Sequence, residues 1–130
     1  MKKKPHNSGQ WTEARYRAFF MSTLRKARWP VKYEALKRAA VGKKINPVSG
    51  KLATFYRCAK CGGEFPAKEV QSDHINPIVP ITGFDSWDGV IKRLAVEIDG
   101  FQCLCKTCHA EKTKKENDQR KEARNGNKTI

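Results

Sequence analysis

The sequence predicts a small α+β protein whose chain is held together by two pairs of cysteines. The pairs are Cys58–Cys61 and Cys105–Cys108, with two residues inside each pair. Apolar residues recur at helical spacing in some segments and alternate as in strands in others, which predicts both kinds of element. A chain of 130 residues builds only a modest hydrophobic core. Four thiolates in two such pairs are typical of a structural zinc site, which would add stabilisation that this core lacks.

The chain is predicted to begin with a basic tail and a helical extension. Residues 1–10 are expected to be disordered, because their Lys, Pro, Asn, Ser and Gly offer nothing to bury, and residues 125–130 are expected to form a second disordered tail. Residues 11–51 are expected to form a basic helical extension. Its first helix, from about Thr12 to Arg28, is indicated by apolar residues at helical spacing, namely Tyr16, Phe20, Leu24 and Ala27.

A second helix of this extension is expected after Pro30, which should stop the first one. It would run from about Val31 to Val41, with Gly42 as its left-handed cap. Residues 43–51, with a turn signal at Asn46-Pro47, are predicted to be a loop. Both helices carry Lys and Arg on their polar faces, and these charges fit a solvated scaffold and a DNA-docking surface equally well.

Residues 52–124 are predicted to form the module that contains the cysteine pairs. Leu52–Arg57 and Val70–Ile75 have the composition and alternation of strands. An amphipathic stripe after Ser86, a good N-capping residue, predicts a helix that reaches Ile98. A final helix is expected from about Thr107, and it should fray beyond Arg124 because few apolar residues remain there.

Three further polar residues lie close to the cysteine pairs in sequence. Asp73 and His74 fall near the end of the second predicted strand, and His109 follows Cys108 directly. A structural zinc site has no need of this carboxylate and these two imidazoles. Neighbouring strand residues point to opposite faces, so Asp73 and His74 converge only if the strand ends or twists, which Pro77 is placed to cause. Cys103, outside both pairs, is predicted to be a small buried side chain.

The order of these motifs resembles that of the HNH endonuclease family. Over roughly residues 55–115 it reads Cys-x2-Cys, Asp-His-Ile and Cys-x2-Cys-His, followed by Lys112-Thr113. The likeness is closest to the small HNH proteins of bacteriophages. Further matches are Asn76-Pro77, Phe101-Gln102 and the segment at residues 83–88.

The resemblance implies a zinc-stabilised ββα-metal module of the treble-clef kind, here with an N-terminal helical extension and an inserted helix. It implies an endonuclease that nicks or cuts double-stranded DNA. Carried over residue by residue, His74 would be the general base, and Asp73 and His109 would hold a catalytic Mg²⁺, or else Mn²⁺ or Ni²⁺. The structural zinc would be bound by Cys58, Cys61, Cys105 and Cys108.

One position departs from the family pattern. The middle Asn of the family name would fall at Gly100, beside Asp99. In the family, the side chain of this Asn forms hydrogen bonds that hold the loop behind the catalytic His. Glycine has no side chain to form them. Asp99 could accept such hydrogen bonds, but it could not donate them as an amide does. Slow or absent catalysis is therefore one of the expectations that the sequence leaves. A left-handed helix terminus would explain a glycine at Gly100, and Gly100→Asn is then expected to restore the brace at little cost in stability.

Charge is distributed unevenly along the chain. Of the formal net charge of +14, residues 1–60 carry +14, residues 61–104 carry −4 and residues 105–130 carry +4. A basic surplus in the flanking segments favours a polyanionic partner, although a solubilising surface would have the same composition. Charge alone does not distinguish cutting DNA from holding it.

Two rival functions fit part of these patterns. A non-enzymatic zinc ribbon that binds nucleic acid explains the charge and the cysteines, but leaves the proximity of Asp73, His74 and His109 as coincidence. A thiol redox protein fits less well, because two Cys-x2-Cys pairs favour a metal and no βαβ pattern accompanies them.

The sequence also predicts where the protein works. No apolar run approaches the roughly twenty residues of a membrane span, and the basic N terminus lacks the apolar segment of a signal peptide. A cytoplasmic protein is expected, in the host bacterium if the gene is a phage's, where five cysteines favour metal over disulfides. Beyond DNA, phage packaging proteins are candidate partners, and a role as a mobile-element endonuclease is the alternative.

Overall fold

A computed structural model describes residues 3–128, and within that range the chain forms four α-helices and five β-strands. The predicted α+β class is confirmed. None of these helices is both long and apolar enough to cross a membrane. The helices are α1 (Glu13–Arg25), α2 (Pro30–Arg38), α3 (Trp87–Leu94) and α4 (Lys106–Lys128), and the strands are β1 (Ala40–Ile45), β2 (Leu52–Arg57), β3 (Glu64–Pro66), β4 (Val70–His74) and β5 (Phe101–Cys105).

The strands form two antiparallel sheets. β1, β2 and β3 lie in that order in one sheet, and β4 pairs with β5 in the other. α4 begins at the residue that follows β5, so a two-stranded sheet leads directly into the longest helix. The prediction of β2 is confirmed at both ends, and β4 ends one residue before the predicted Ile75.

The second strand of this two-strand-and-helix unit was not predicted. The two strands predicted for the module were Leu52–Arg57 and Val70–Ile75, whereas the structure pairs Val70–His74 with Phe101–Cys105. β5 is almost wholly buried, and Leu104 is among its most enclosed side chains. A short strand that is buried on both faces lacks the alternation that marks a half-exposed one, which explains why it was missed.

The loop predicted at residues 43–51 is partly wrong. α2 ends at Arg38 and the chain turns at once into β1, which pairs with β2 from Ala40 to Ile45. Gly42 does have positive φ, 134°, but it lies at an irregularity in the β1–β2 pairing and does not cap a helix. The β-branched Val41 and Ile45 favour this extended conformation.

The inserted helix is shorter than predicted, and the explanation given for Gly100 is wrong. α3 has its expected N-cap, because the Ser86 side chain accepts a hydrogen bond from the Gly89 N–H, but it ends at Leu94. Gly100 lies in a separate 3₁₀ turn, Ile98–Gly100, and is not among the glycines of positive φ. A Cβ at Gly100 would instead lie 2.5 Å from Val96 Cγ2, so close packing is what requires glycine.

The terminal segments carry more structure than expected. His6 pairs with Trp11 through a β-bridge, and its ring stacks on Tyr16 with centroids 3.7 Å apart. The predicted disorder of residues 1–10 is therefore wrong for residues 6–10, which form a closed turn. α4 continues past Arg124 to Lys128, which shortens the predicted C-terminal tail. The disorder predicted for residues 1, 2, 129 and 130 concerns positions outside the described residues.

Packing around the small core holds the extension against the rest of the chain. The Trp29 indole N–H, between α1 and α2, donates to the Val96 carbonyl at 2.7 Å. Phe20 of α1 contacts Trp87 of α3 edge to face. α2 packs on both strands of the β4–β5 sheet. The helical extension thereby forms one wall beside the residues predicted to be functional.

Candidate metal centre and adjoining cleft

Four cysteine side chains meet where the two sheets approach each other. Their sulfur atoms all lie within 4.8 Å of one another, and Cys61 Sγ is 4.0 Å from Cys105 Sγ. Sulfurs bound to one tetrahedral zinc lie about 3.8 Å apart, given the usual Zn–S bond length. The donor set and its spacing therefore fit a structural metal such as zinc. The four are Cys58 and Cys61, which follow β2, Cys105, which ends β5, and Cys108, in the first turn of α4.

The environment of Cys58 favours a thiolate. Burial raises the pKa of this thiol, but backbone N–H groups of Cys61, Cys105 and Lys60 point at its sulfur and together bring the pKa down to about 6. A ligand that loses its proton readily binds a metal more easily at neutral pH. Cys103 behaves differently: burial, with the nearby Cys58 and Cys105, raises its pKa to about 11. The prediction that Cys103 is buried is confirmed, and it lies outside the cluster.

Asp73 and His109 lie side by side next to this cluster. His109 Nε2 is 3.5 Å from Asp73 Oδ1, although the two residues belong to β4 and α4. The other carboxylate oxygen, Oδ2, accepts a hydrogen bond from Gln102 Nε2 at 3.2 Å and lies 3.2 Å from Lys112 Nζ. The carboxylate is thus held by two elements, with Oδ1 turned towards the imidazole.

His74 is held in its neutral form by its surroundings. One ring nitrogen, Nε2, lies 2.8 Å from the Leu94 carbonyl oxygen. Because a carbonyl only accepts, Nε2 carries the hydrogen and Nδ1 keeps its lone pair. Burial lowers the pKa of His74, the charges of Lys32 and Lys112 lower it further, and the Leu94 carbonyl and Asp73 oppose them without prevailing.

The three predicted residues share one cleft. Asp73, His74 and His109 all line a depression of about 530 Å³ between β4, the loop that follows it and α4. The sequence analysis required the strand to end near Asp73 and His74 for this to happen, and β4 does end at His74. Pro77, which was expected to turn the chain, lines the same cleft.

Four cations border this cleft, and two of them come from the helical extension. Arg25 ends α1 and Lys32 lies in α2, whereas Lys112 and Arg120 belong to α4. The sequence analysis did not single out Arg25, Lys32 or Arg120. For Arg120 a signal existed, because His109, Lys112, Glu116 and Arg120 recur at intervals of three and four residues along one helix face. For Arg25 and Lys32 no local signal existed, because only the packing of α2 on β4 and β5 brings them there.

The loop after β4 is fixed by side chains that donate to its carbonyl groups. Arg93 Nε donates to the Ile78 oxygen at 2.6 Å, and the same guanidinium forms two bonds with Asp85, at 2.6 and 3.1 Å. Arg120 donates to the Val79 oxygen at 2.9 Å. Lys112 donates to the His74 oxygen at 3.1 Å. The cleft wall is therefore held in place by charge-assisted hydrogen bonds, which are stronger than neutral ones.

Asp73 and His109 together could hold one divalent cation. Two ligand atoms bound to one small divalent cation lie about 3 Å apart in octahedral geometry, and the observed 3.5 Å between Asp73 Oδ1 and His109 Nε2 needs only a small adjustment. Two protein ligands leave most coordination positions to water or to a substrate. Lys112 competes for the carboxylate through Oδ2, while Oδ1 stays available.

In comparisons with known proteins, no family model matches this chain, and no curated protein or solved structure does so. The geometry of the cleft and of the cysteine cluster therefore provides the basis for inferring function.

Proposed function

We propose that this protein is a metal-dependent endonuclease of the HNH type that hydrolyses phosphodiester bonds in double-stranded DNA. One observation carries the proposal: His74, Asp73 and His109 line a single cleft that is bordered by cations. A zinc site without catalytic function would give no reason for the two imidazoles and the carboxylate to share that cleft.

His74 is the proposed general base. Its Nδ1 accepts the proton of the attacking water, while the Leu94 carbonyl fixes the orientation of the ring through Nε2. A base must be unprotonated to act, and the lowered pKa keeps His74 in that form at neutral pH. The backbone of His74 is in turn fixed by the hydrogen bond that Lys112 donates to its carbonyl group.

Asp73 and His109 are the proposed ligands of a catalytic Mg²⁺, Mn²⁺ or Ni²⁺. When bound, such an ion neutralises charge on the phosphate and stabilises the leaving oxygen. Asp73 Oδ1 and His109 Nε2 are the atoms that would hold it. Gln102 keeps the carboxylate in position from the neighbouring strand.

The cations of the cleft are proposed to receive the DNA backbone. Lys32 and Arg25 lie on one wall and Arg120 on the other, so phosphates on either side of the reacting group would find a positive partner. The cysteine cluster would act at a distance from the chemistry. With zinc bound, it would tie the segment after β2 to the junction of β5 and α4 and so fix Gln102 and His109 opposite Asp73.

One contact favours a second candidate, a nucleic-acid-binding zinc module without activity. Lys112 Nζ lies 3.2 Å from Asp73 Oδ2 and 3.2 Å from Glu116, so this ammonium group already neutralises part of the charge that a cation would need. If Lys112 holds the carboxylate permanently, the cleft binds a phosphate and does not cut.

Cleavage of supercoiled plasmid decides between the two functions. With Mg²⁺ or Mn²⁺ the protein should convert supercoiled plasmid to nicked or linear forms, and no conversion should occur without divalent cation. His74→Ala should slow this at least about 100-fold, the usual share of a general base, and leave zinc content and DNA affinity unchanged. His6→Ala is the matched control, because His6 lies in the turn that precedes α1 and does not line the cleft. Equal rates for the parent and His74→Ala would refute the assigned role.

The pH dependence of the rate gives an independent test of His74. A base works when neutral, so activity should be lost as pH falls through its pKa, and burial places that pKa below the ordinary value of about 6.5. A cation bound at Asp73 would lower it further. Single-turnover rates measured across the acid range should therefore have their midpoint on the acid side of 6.5, with zinc content checked at each pH. A midpoint above that value would contradict the burial argument.

A further inference from the structure

The hairpin formed by β1 and β2 extends beyond the sheet that supports it. β3 pairs with β2 only at residues 55–57, whereas β1 continues to pair with β2 as far as Ile45 and Leu52. Residues 43–54 therefore form a two-stranded ribbon without a third strand, and we call this segment the ribbon. Every residue of β1 is exposed.

The tip of the ribbon has a defined conformation although no core supports it. The Asn46 N–H donates to the Lys51 oxygen at 2.8 Å, and the Asn46 oxygen accepts from the Gly50 N–H at 2.7 Å. The Asn46 side chain accepts from the Val48 N–H at 2.9 Å. Isolated two-stranded hairpins are marginally stable in water, and these bonds offset part of that weakness.

Apolar side chains are concentrated at this tip. Val48 is 94% exposed, and Ile45 and Leu52 are each 62% exposed. Ile45 and Leu52 are directly opposite each other in the pairing, so they lie on the same face of the ribbon. Pro47 precedes Val48 in the turn. These side chains contribute nothing to the core. Exposed apolar residues that are grouped in this way commonly mark a site that binds a partner.

The charge around these apolar residues is positive. No acidic residue occurs between Glu34 and Glu64. Lys44 folds back over the Phe55 ring and pairs with Glu64. Lys43 and Lys51 take part in none of the ion pairs formed within residues 3–128. Lys43 also lies on the face that carries Ile45, two residues along the strand.

We propose that the ribbon docks in the minor groove of duplex DNA, with Lys43 and Lys51 on the phosphates and Pro47-Val48 as an apolar wedge against the bases. Groove-binding arms commonly combine flanking cations with an apolar tip of this kind, which partly unstacks a base step. The inference rests on the proposed function for its choice of DNA. A protein groove or a second copy of the chain would also cover the apolar tip, but neither gives a reason for unpaired lysines on both strands.

Binding to a short fluorescent duplex, measured over about 50 to 200 mM KCl without divalent cation, tests the proposal. The variant Lys43→Gln/Lys51→Gln should reduce the slope of log affinity against log salt by about 1.8, as expected for two lost phosphate contacts. The control Lys114→Gln/Lys115→Gln removes the same charge from exposed positions of α4 and should change the slope less. Equal changes in the two variants would mean a general charge effect and would overturn the proposal.

The apolar tip is tested separately with Val48→Ser. This substitution should weaken binding without changing the salt slope, and it should abolish any rise in 2-aminopurine fluorescence that the parent causes in a labelled duplex. Unchanged affinity and fluorescence would overturn the wedge. Light scattering of the parent alone provides the last check, because a dimer that Val48→Ser converts to a monomer would assign the tip to a second copy of the chain.

A small phosphodiester separates this inference from the proposed function. Ribbon variants should hydrolyse bis(4-nitrophenyl) phosphate as fast as the parent, whereas His74→Ala should not hydrolyse it. Binding that depends on the ribbon, in a protein that cuts neither substrate, would sustain the inference and reject the nuclease. Plasmid cleavage and duplex binding that no ribbon variant changes would sustain the nuclease and reject the inference.

Discussion

At the scale of single residues, Gly100 lies so close to Val96 that no space is left for a Cβ atom. A Cβ added there would lie 2.5 Å from Val96 Cγ2 and 2.8 Å from Val96 Cβ. The expectation that Gly100→Asn costs little stability is therefore wrong, whereas its effect on cleavage stays a prediction. Its backbone instead serves the sheet directly, because the Gly100 oxygen accepts from the Ile75 N–H at 2.9 Å and extends the β4–β5 pairing.

We expect Gly100→Ala to lower the free energy of unfolding by about 1–3 kcal/mol, because the new methyl group overpacks against a stiff β-branched side chain. Val96→Ala in the same chain should recover part of that loss, since it removes Cγ2 but leaves the Cβ contact. Urea unfolding of the two single variants and the double variant measures the coupling. The control is Gly126→Ala, where a Cβ meets nothing within 4 Å. Additive effects of the two substitutions would contradict the contact.

The residues of the cleft were predictable to different degrees. Asp73, His74 and His109 stand out in sequence because they accompany a double cysteine motif. Gln102, which bonds the Asp73 carboxylate, was noted only as part of a motif, since its role depends on the pairing of Asp73 with Gln102 across two strands. Lys32 was not predictable at all, because no pattern within α2 indicates that this helix packs on β4 and β5 beside the cleft.

At the scale of elements, the cysteine cluster brings together side chains from three of them. Cys58 and Cys61 follow β2, Cys105 ends β5 and Cys108 lies in α4. The buried side chains around them are few, so binding of a metal would supply a large share of the folding free energy.

We expect the purified, reduced protein to carry about one zinc per chain, and Cys105→Ser to lose both the metal and cooperative unfolding. Elemental analysis and thermal unfolding followed by circular dichroism measure the two effects. Cys103→Ala is the matched control, because Cys103 is equally buried in β5 but lies outside the cluster. Folded protein without metal, or loss of zinc in both variants, would be inconsistent with a four-cysteine site.

At the scale of the whole molecule, positively charged segments lie on both sides of a negatively charged one. Residues 1–60 carry the entire formal surplus of +14, and residues 61–104 carry −4. The cleft draws cations from both flanks, since Arg25 and Lys32 precede residues 61–104 and Arg120 follows them. A polyanion that enters the cleft therefore meets the extension as well as α4.

We expect binding to duplex DNA to weaken steeply with salt, and Lys3→Gln/Lys4→Gln to reduce the slope by about 1.8 if both side chains contact phosphates. Substitution is preferable to deletion of residues 1–10, which would also remove the stacking of His6 on Tyr16. Lys68→Gln/Lys92→Gln, in the negative segment, is the control with the same change in charge. Anisotropy titrations at several salt concentrations give the slopes. If neither variant alters the slope of log affinity against log salt, Lys3 and Lys4 do not contact DNA phosphates.

Local features of this protein were predictable from the amino-acid sequence. The spacing of the cysteines predicted their cluster, the alternation in Leu52–Arg57 and Val70–Ile75 predicted β2 and β4, and Ser86 marked the start of α3. These features depend on neighbouring residues and on intrinsic preferences, which a sequence displays directly.

Tertiary structure decided what depends on distant partners. β5 exists because Phe101–Cys105 finds β4, and β1 because Ala40–Ile45 finds β2, although its own residues include a glycine and two lysines. Gly100 is required by Val96, and Lys32 reaches the cleft only through the packing of α2 on β4 and β5. Hydrogen-bond pairing and close packing are properties of two segments together, so neither segment's sequence discloses them alone.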